Sequence, residues 1–570
     1  MDLSGLIAAA RGDRPVDRVF ENARVVNVYS GDIESRHIAV ADGYIAGFGD
    51  YQAKERIDAA NRYVLPGFID AHVHIESSMV AVSEFVRAVL PLGTTTVIAD
   101  PHEIANVLGT TGIEYMLNEG IKQPMNLFFT LPSCVPATDM ETAGARLDAK
   151  ALAPLIESPQ VPALGEMMNF PGVIHCDPGV LEKLALARKA GKPADGHAPG
   201  LSGKALNAYL CAGIKSDHEC TSLDEAKEKL ASGMHIMIRE GTGAKNLDAL
   251  LPLANPLTAH RMMWCTDDRH PDDICQHGHI NDMVRRAIHA GLPPVIAIRM
   301  ATLNPARYFN LPRVGAIAPG MRADLLVTSD LNDLVLEQVY AGGELVAADG
   351  RMHSDVNIPD AAPCPSGVRI DPDRLDFDIP ANGRKARVME IVPDQIVTRQ
   401  QVLSIRQENG RAVSDPASDI LKIAVAERHQ GTGNMGTGFV KGFGLKKGAL
   451  ASSVAHDSHN IVAVGADDAD MRAAVRHVVN MEGGLCVVCD QEVRADLALP
   501  IAGLMATEPL DAVRAQMGQL IRAAHDLGSN LPDPFMTLSF LALPVIPELK
   551  ITDRGLFDVG RFCHVPVFIE

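Results

Sequence analysis

Several kinds of segment are missing from this chain of 570 residues. No apolar run approaches the ~20 residues that a membrane-spanning helix needs. No basic segment followed by an apolar one opens the sequence, so we expect no secretory signal. Of the ten cysteines, Cys134, Cys176, Cys211, Cys220 and Cys265 lie in apolar or element-end contexts. We therefore expect buried, reduced thiols in a cytoplasmic protein and no disulfide framework.

The sequence also lacks an excess of basic residues. It has 52 Lys and Arg against 71 Asp and Glu, which gives a formal net charge of −19. Because binding to phosphates needs a basic surface, we expect no nucleic acid and no membrane among the partners. A small neutral or cationic substrate agrees better with this charge. The hydrophobic fraction of 47% and the charged fraction of 22% are typical of globular proteins, and the length indicates several domains.

Two histidines, His72 and His74, follow the apolar run at residues 65–69. In a strand, residues two positions apart point to the same face, so one short segment can offer two imidazoles to one metal ion. Neutral histidine is a common nitrogen ligand for transition metals. A strand with two surface histidines would give the same pattern. Four more ligand-type residues, each after its own strand-like run, favour the metal site.

Residues 64–310 alternate short apolar runs with helical patterns. With the run before His72, eight strands are predicted, the others at 95–99, 126–130, 161–165, 193–196, 213–216, 235–238 and 262–265. Helices are predicted between them, for example at 80–92, 103–119, 178–190 and 223–232. Eight alternating units over about 250 residues predict an α/β fold, a (β/α)₈ TIM-like barrel.

Short strands with turn residues flank the barrel on both sides, at 17–64 and 323–347. They predict one β-sandwich domain built from both flanks, comprising residues 1–63 and 311–372, around a barrel domain at 64–310. A polar, proline-rich stretch near residues 357–372 is typical of a linker. An additional α+β domain is predicted at 373–570.

Six potential metal ligands fall where the predicted barrel strands end: His72, His74, Glu166, His197, His218 and Asp267. Functional side chains of such barrels gather at these ends. Four imidazoles and two carboxylates suit two divalent metal ions, with one oxygen of Glu166 for each. Metal binding lowers the pKa of water toward ~7, which predicts a metal-bridging hydroxide as nucleophile. Asp267 would take its proton and pass it to the leaving group.

Three other polar segments lie outside this set of six ligands, and each is interpreted separately. His277 and His279 precede a helical run, where positions i and i+2 do not share a face, so we expect no ligand role for them. The glycine-rich stretch 431–438 lacks the G-K-[ST] ending of a phosphate loop and is interpreted as a loop. The cluster at 456–460 (HDSHN) is either a polar turn between two apolar runs, a segment that closes over the site, or the site of another ion.

Residues 65–74 (LPGFIDAHVH) resemble the first-strand signature of the amidohydrolase superfamily. Residues 301–306 (ATLNPA), with Gly315, Pro319-Gly320 and 323–325, resemble its return into the β-sandwich. Many binuclear members bridge their metals with a carboxylated lysine on the fourth strand, whereas this chain has Glu166 there. That difference points to a narrower group.

Within the superfamily, the chain resembles the bacterial adenine deaminase family nearly from end to end. The matching segments are HIESSM (74–79), DPHEIAN (100–106), GEMMN (165–169), DGHAPG (195–200), SDHE (216–219), TDDR (266–269), HDSHN (456–460) and LSFLALPVIP (538–547). The resemblance implies hydrolytic deamination of adenine to hypoxanthine and ammonia in purine salvage, by a homodimer. It implies Mn²⁺ as the metal, with Fe²⁺ and Zn²⁺ as alternatives.

In that reaction hydroxide adds to C6 of the purine, N1 gains a proton and ammonia leaves. Glu103 and Glu219 are the predicted catalytic acids beside Asp267. The predicted substrate-binding residues are Glu76, His102, Asp268 and Ser78. Glu76 would share the face of His74 if the strand ran that far. Each of these carboxylates can also be explained as a support for a ligand or as a first-turn helix residue. The alternatives for the whole protein are a cyclic amidase of the same superfamily (hydantoinase- or dihydroorotase-like) and a non-catalytic scaffold.

Overall fold

The computed structural model describes residues 2–393 and 395–569, and the first part of the chain is a helix followed by five strands. These elements are α1 (Leu3–Arg11), β1 (Val16–Val26), β2 (Ile33–Ala41), β3 (Tyr44–Phe48), β4 (Ala53–Asp58) and β5 (Tyr63–Pro66). β1 pairs antiparallel with β2 and parallel with β4 and β5. β5 ends directly before the strand that carries His72, so this sheet fixes the start of the functional segment.

A closed barrel of eight parallel strands follows, as predicted. The strands are β6 (Phe68–Val73), β7 (Thr94–Ala99), β8 (Asn126–Phe129), β9 (Leu164–Met167), β10 (Ala194–Gly196), β11 (Ser216–Asp217), β12 (His235–Arg239) and β13 (Met262–Cys265). They form three groups, β6–β7–β8, β9–β10 and β11–β12–β13. Single parallel bridges join the groups, and the bridge between Val73 and Asp267 closes the ring.

Helices connect the barrel strands on the outside. They are α2 (Val82–Val89), α3 (His102–Leu108), α4 (Thr110–Ile121), α5 (Ala149–Leu152), α6 (Phe170–Ile174), α7 (Pro178–Lys189), α8 (Gly203–Cys211), α9 (Leu223–Ala231), α10 (Leu247–Leu250), α11 (Pro271–His277), α12 (Ile280–His289), α13 (Pro294–Met300) and α14 (Leu303–Tyr308). The single helix predicted at 103–119 is wrong. Gly109 has φ 63° and ψ −141°, which interrupts the helix between α3 and α4.

After the barrel the chain returns to the first sheet. The strands β14 (Leu325–Thr328), β15 (Gln338–Ala341), β16 (Glu344–Ala348) and β17 (Arg351–Met352) extend it to nine strands in the order β17-β16-β15-β14-β5-β1-β2-β3, with β4 also on β1. β14 pairs antiparallel with β5, and Leu326 lies opposite Leu65. Strands from both flanks of the barrel therefore form one sheet.

The remaining residues form a sheet-rich α+β region. Its strands are β18 (Ile379–Pro380), β19 (Lys385–Ile391), β20 (Thr398–Ser404), β21 (Gln407–Glu408), β22 (Arg411–Ala412), β23 (Ile420–Ala426), β24 (Met435–Lys441), β25 (Ala449–Ser452), β26 (Ile461–Gly465), β27 (Gly484–Cys489), β28 (Glu492–Ala498), β29 (Leu549–Thr552), β30 (Gly555–Asp558) and β31 (Cys563–His564). Its helices are α15 (Asp468–Asn480), α16 (Leu510–Asp526) and α17 (Pro534–Leu541). The main sheet has the order β20-β19-β24-β23-β26-β25-β27-β28. The cluster at 456–460 connects the antiparallel strands β25 and β26.

This C-terminal region is hydrogen-bonded to the barrel near the carboxyl ends of its strands. The backbone N–H of Ala81 donates to the carbonyl oxygen of Ala506 over 2.8 Å. The side-chain amide of Asn460 donates to the carbonyl oxygen of Thr142, also over 2.8 Å. The loop at 456–460 thus lies against the functional face of the barrel.

Two composition-based expectations can be compared with the structure. In residues 2–393 and 395–569, no helix is both long and apolar enough to cross a bilayer. All ten cysteines are free, and Cys134, Cys220 and Cys265 are buried as expected. The expected burial of Cys176 and Cys211 is wrong. Cys211 is the last residue of α8, and Cys176 has a φ of 58° outside any helix or strand.

Candidate metal centre

The six predicted metal ligands come together at the carboxyl ends of the barrel strands. His72 lies in β6 and His74 directly after it, and Glu166 lies within β9 rather than after it. His197 follows β10, His218 follows β11, and Asp267 is two residues beyond β13. Five of the six side chains are almost fully buried, and that of His197 is 25% exposed.

Their donor atoms face each other in two groups, with Glu166 between them. His74 Nε2 lies 3.1 Å from His72 Nε2 and 3.1 Å from Asp267 Oδ1. Glu166 Oε1 lies 3.4 Å from His74 Nε2 and 3.8 Å from His72 Nε2. Its other oxygen, Oε2, lies 2.6 Å from His197 Nδ1 and 3.2 Å from His218 Nε2. Each oxygen of Glu166 therefore faces a different pair of histidines.

This arrangement fits divalent cations. The groups His72–His74–Asp267 and Glu166–His197–His218 each keep one donor atom per residue within 4.8 Å of the others. Within the described chain, both ring nitrogens of His218 are buried without a hydrogen-bond partner. Buried polar atoms are normally satisfied, so the unpaired Nε2, which faces the carboxylates of Glu166 and Glu219, indicates a ligand for it. Imidazole and carboxylate donors suit Zn²⁺, Mn²⁺ and Fe²⁺.

Neighbouring groups fix the orientation of the first two histidines. His74 Nδ1 is 2.9 Å from the carbonyl oxygen of Asp100, which can only accept, so Nδ1 carries the proton and Nε2 presents its lone pair. His72 Nδ1 is 3.2 Å from Asp195 Oδ2. Asp100 also accepts from the backbone N–H of Glu166 over 2.9 Å. A side chain at Gly165 would meet that carboxylate oxygen at 2.2 Å, so only glycine allows this approach.

Asp267 is held by the buried guanidinium of Arg239. Arg239 Nη1 donates to Asp267 Oδ2 over 2.6 Å, and its Nη2 donates to Glu219 Oε2 over 3.0 Å. Burial raises the pKa of Asp267, but Arg239 and His74 outweigh it and hold that pKa well below its usual range. Asp267 is therefore ionised at neutral pH and can accept a proton. The Glu219 carboxylate, 3.6 Å from His218 Nε2, is tied to the same guanidinium.

A second acidic group lies beside the candidate metal centre. His102 Nδ1 is 3.3 Å from Glu166 Oε1, and His102 Nε2 is 3.5 Å from Glu103 Oε1. Glu103 in turn contacts two histidines of the C-terminal region, His456 Nδ1 at 2.7 Å and His459 Nε2. Burial opposes protonation of His456, but Glu103 raises its pKa to about 9. The Glu103–His456 pair therefore holds a proton at neutral pH.

The other predicted substrate residues lie around the turn after His74. Strand β6 ends at Val73 and residues Ile75–Ser78 form a 3₁₀ turn, so Glu76 does not share a strand face with His74. Burial raises the pKa of Glu76 to about 7. The Ser78 hydroxyl donates to the carbonyl oxygen of Ile75, whereas Ser77 donates to Asp268 Oδ1 over 2.5 Å. Ser77 thus reaches the partly exposed Asp268.

The second His-x-His pair lies elsewhere. His277 is the last residue of α11 and its side chain is 54% exposed. His279 is fully buried and lies 3.2 Å from Asp70 Oδ2 and 2.8 Å from the hydroxyl of Thr94. Its ring also lies 5.8 Å from that of Phe85 in α2, so His279 links the strand that carries His72 to the helices.

Comparisons with known proteins agree with this architecture. Residues 63–346 match the amidohydrolase family model, and residues 395–563 match the model of the adenine deaminase C-terminal domain. An adenine deaminase of Desulfatibacillum aliphaticivorans is 55% identical over 563 residues, 99% of each chain. One of Methanothrix thermoacetophila is 51% identical over 573 residues, 100% of each chain. The chain belongs to the adenine deaminase family.

An L-hydantoinase (dihydropyrimidinase) of Arthrobacter aurescens aligns with a TM-score of 0.46 and 15% identity, over 59% of this chain and 97% of that one. The model of the adenine deaminase C-terminal domain covers the region that supplies His456 and His459.

The sequence pattern gave no role to several residues that the structure places at the centre. Arg239 ends β12 and Asp195 lies in β10, so a strand-end criterion applied to every polar residue would have included both. The contact of Glu103 with His459 spans 356 positions. No local sequence pattern predicts a contact between residues that are so far apart in the chain.

Proposed function

We propose that this protein catalyses the hydrolytic deamination of adenine to hypoxanthine and ammonia. The observation that carries the proposal is the full-length identity of about 50% to adenine deaminases, which includes both the barrel and the C-terminal domain. The cluster of histidines and carboxylates at the barrel mouth supports it, because hydrolysis at C6 of a purine needs an activated water.

Two divalent ions are proposed at this cluster, with Mn²⁺ as the metal and Fe²⁺ or Zn²⁺ as alternatives. The residues proposed to hold them are His72, His74, Glu166, His197, His218 and Asp267. When bound, such ions lower the pKa of water toward ~7 and supply a nucleophile at neutral pH. The opposed oxygens of Glu166 support a bridging position for this carboxylate.

The chain's own residues would move the protons. Asp267, ionised beside Arg239, takes the proton of the attacking water and passes it to the exocyclic nitrogen, which leaves as ammonia. Glu103 and Glu219 are the proposed acids for N1. Burial raises the pKa of Glu103, but His456 and His459 hold it well below its usual range, so the proton of the Glu103–His456 pair lies on His456. Glu103 would pass this proton to N1, whereas both oxygens of Glu219 are engaged by Arg239.

The purine is proposed to lie between the metal cluster and the residues Glu76, His102, Asp268 and Ser78. Glu76 has a buried oxygen, Oε2, without a hydrogen-bond partner in the described chain. Such an oxygen can accept from a ring N–H or from the exocyclic amine of the substrate. Asp268, paired with Ser77, is partly exposed and can reach a substrate from the solvent side.

The domain limits 1–63 with 311–372, 64–310 and 373–570 are part of this proposal, as are a homodimer and a cytoplasmic location. The single sheet that contains both β5 and β14 supports a first domain formed from both flanks of the barrel.

Ammonia release from adenine, adenosine and a hydantoin tests the proposal with protein reconstituted with Mn²⁺. We expect turnover of adenine alone, and a loss of about 10²- to 10⁴-fold in kcat for Asp267→Asn. Turnover of the hydantoin without turnover of adenine would contradict adenine deamination and favour a cyclic amidase. Unimpaired turnover by Asp267→Asn would contradict the proton-transfer role.

A further inference from the structure

Glu103 belongs to the barrel, but its side chain is held by the C-terminal domain. Its Oε1 lies 2.7 Å from His456 Nδ1, and its Oε2 contacts His459 Nε2. Each histidine thus engages its own oxygen at hydrogen-bond distance. The geometry at Glu103 is that of a doubly hydrogen-bonded carboxylate.

The ring of His459 is fixed as a donor to Glu103. The backbone N–H of Ala455 donates to His459 Nδ1 over 3.1 Å. Nδ1 must therefore be the unprotonated nitrogen, and in the neutral ring the proton lies on Nε2, which faces Glu103. His459 is 1% exposed, so water does not compete for this contact.

Arg428 fixes the backbone of His459. Its side chain is completely buried, and its Nε donates to the carbonyl oxygen of His459. The other nitrogens donate to the carbonyl oxygens of Ser366, over 3.1 Å, and Ala502, over 3.0 Å. His459 has a φ of 55°, a left-handed conformation that residues other than glycine rarely adopt and that needs such support.

The burial of Arg428 is unusual because no carboxylate partner is among the ion pairs of residues 2–393 and 395–569. A buried guanidinium without a counter-ion is costly, and only its carbonyl acceptors offset that cost. Three separate segments, the linker at Ser366, the loop at His459 and the turn at Ala502, converge on this one side chain. Its position is thus suited to fixing loop 456–460 against the barrel.

We propose that Arg428 is a positioning residue for the active site, which acts through His459 to hold the carboxylate of Glu103 beside the metal centre. The proposal rests on the proposed deamination, in which Glu103 supplies the proton to N1. In this proposal, the C-terminal domain holds the acidic group Glu103 of the barrel in its position beside the proposed metal centre.

The test compares Arg428→Met, Arg428→Lys and His459→Gln with wild-type protein reconstituted with Mn²⁺. We expect kcat for adenine to fall on the order of 10- to 100-fold in Arg428→Met, because small misplacements of a reacting group cost this much. KM should change less than about threefold, metal content should stay at the wild-type level, and Arg428→Lys should recover part of kcat. His459→Gln keeps an amide donor and should lose less than Arg428→Met. Arg472→Met is the matched control, since Arg472 also donates to a carbonyl oxygen of this region, that of Leu375.

Hydrogen–deuterium exchange supplies a readout that does not depend on turnover. In Arg428→Met we expect faster amide exchange both in loop 456–460 and in helix α3, which carries Glu103. Unchanged kcat in folded Arg428→Met, or faster exchange in the loop without any change in α3, would overturn the proposal. If the wild-type protein fails to deaminate adenine, the proposed function fails, and the exchange in α3 still decides whether Arg428 controls Glu103.

Discussion

Lys229 and Asp217 form a fully enclosed ion pair behind the proposed metal centre, with 2.8 Å between Nζ and Oδ2 and no exposure of either side chain. Lys229 Nζ also donates to the carbonyl oxygen of Ala198 over 2.6 Å. Asp217 Oδ1 accepts from the backbone N–H of the same residue over 2.9 Å. This pair joins the segments that carry His197 and His218.

Replacing Lys229 by Met should lower the free energy of unfolding by about 3–5 kcal/mol, because it leaves Asp217 buried and unpaired. The double variant Lys229→Met/Asp217→Asn should recover part of this loss. Urea unfolding measures the free energy of unfolding of the single and the double variant. Lys227→Met is the control on the same helix. Because this side chain is exposed, its replacement should change the free energy of unfolding by less than about 0.5 kcal/mol. Equal stability of the Lys229 and Lys227 variants would contradict this role.

Arg239→Gln should shift the acid limb of the pH profile of kcat/KM upward. Burial raises the pKa of Asp267, and Arg239 is the strongest of the groups that lower it. Without the guanidinium the pKa of Asp267 rises, and the carboxylate is protonated at a higher pH. We expect a shift of about one to three pH units, as is typical for a lost cationic neighbour. Arg285→Gln, at an exposed barrel arginine, should leave the limb in place. An unshifted limb in folded Arg239→Gln would exclude Asp267 as the ionising group.

Removal of the metal should abolish activity and lower the thermal unfolding midpoint. A ligand present at about 1,000 times its Kd adds about 4 kcal/mol to stability, and the chelated protein loses this contribution. Elemental analysis should find two Mn²⁺ per chain after reconstitution. It should find fewer in His218→Ala and an unchanged number in the exposed control His175→Ala. One ion per chain in active wild-type protein would contradict a binuclear centre.

The barrel and the six clustered residues were predictable because their signals are local. Each strand is an apolar run with a polar residue at its carboxyl end, and the geometry of a barrel brings those ends together. The pattern of residues 65–74 therefore specifies both the strand β6 and the direction of His72 and His74. The bounds of short elements were less predictable, as at Gly109, where one backbone conformation divides a helix that the sequence pattern predicted as continuous.

Pairings between distant segments were not predictable from the sequence. Arg239 is the charged end of an apolar strand, but its partner Asp267 lies just beyond the neighbouring strand, 28 positions later. The contact of His459 with Glu103 depends on how a whole domain packs on the barrel. Such contacts depend on tertiary packing, and the periodicity of apolar residues in the sequence does not predict them.

Glu141, at the interface between the barrel and the C-terminal domain, makes stability depend on pH. Its side chain is 5% exposed, and its Oε1 has no hydrogen-bond partner in the described chain. Burial, together with the neighbouring Asp457 and Asp553, raises the pKa of Glu141 well above its usual value. Between the unfolded pKa of about 4.3 and the higher folded pKa, the native state keeps a proton that the unfolded state has lost. Its contribution to stability is therefore present at low pH and decreases as the pH rises through this range.

Glu141→Gln removes the ionisable group while it keeps the shape of the side chain. We expect the variant to be more stable than wild type at pH 8 and equally stable near pH 4, where the carboxyl of wild type is protonated in the native state. One pKa unit corresponds to about 1.4 kcal/mol, so the gain at pH 8 should be at least of that size. Urea unfolding at both pH values measures it, with the exposed Glu482→Gln as the control that should show no pH-dependent difference. A gain of equal size at pH 4 and pH 8 would mean that packing, and not ionisation, accounts for the effect.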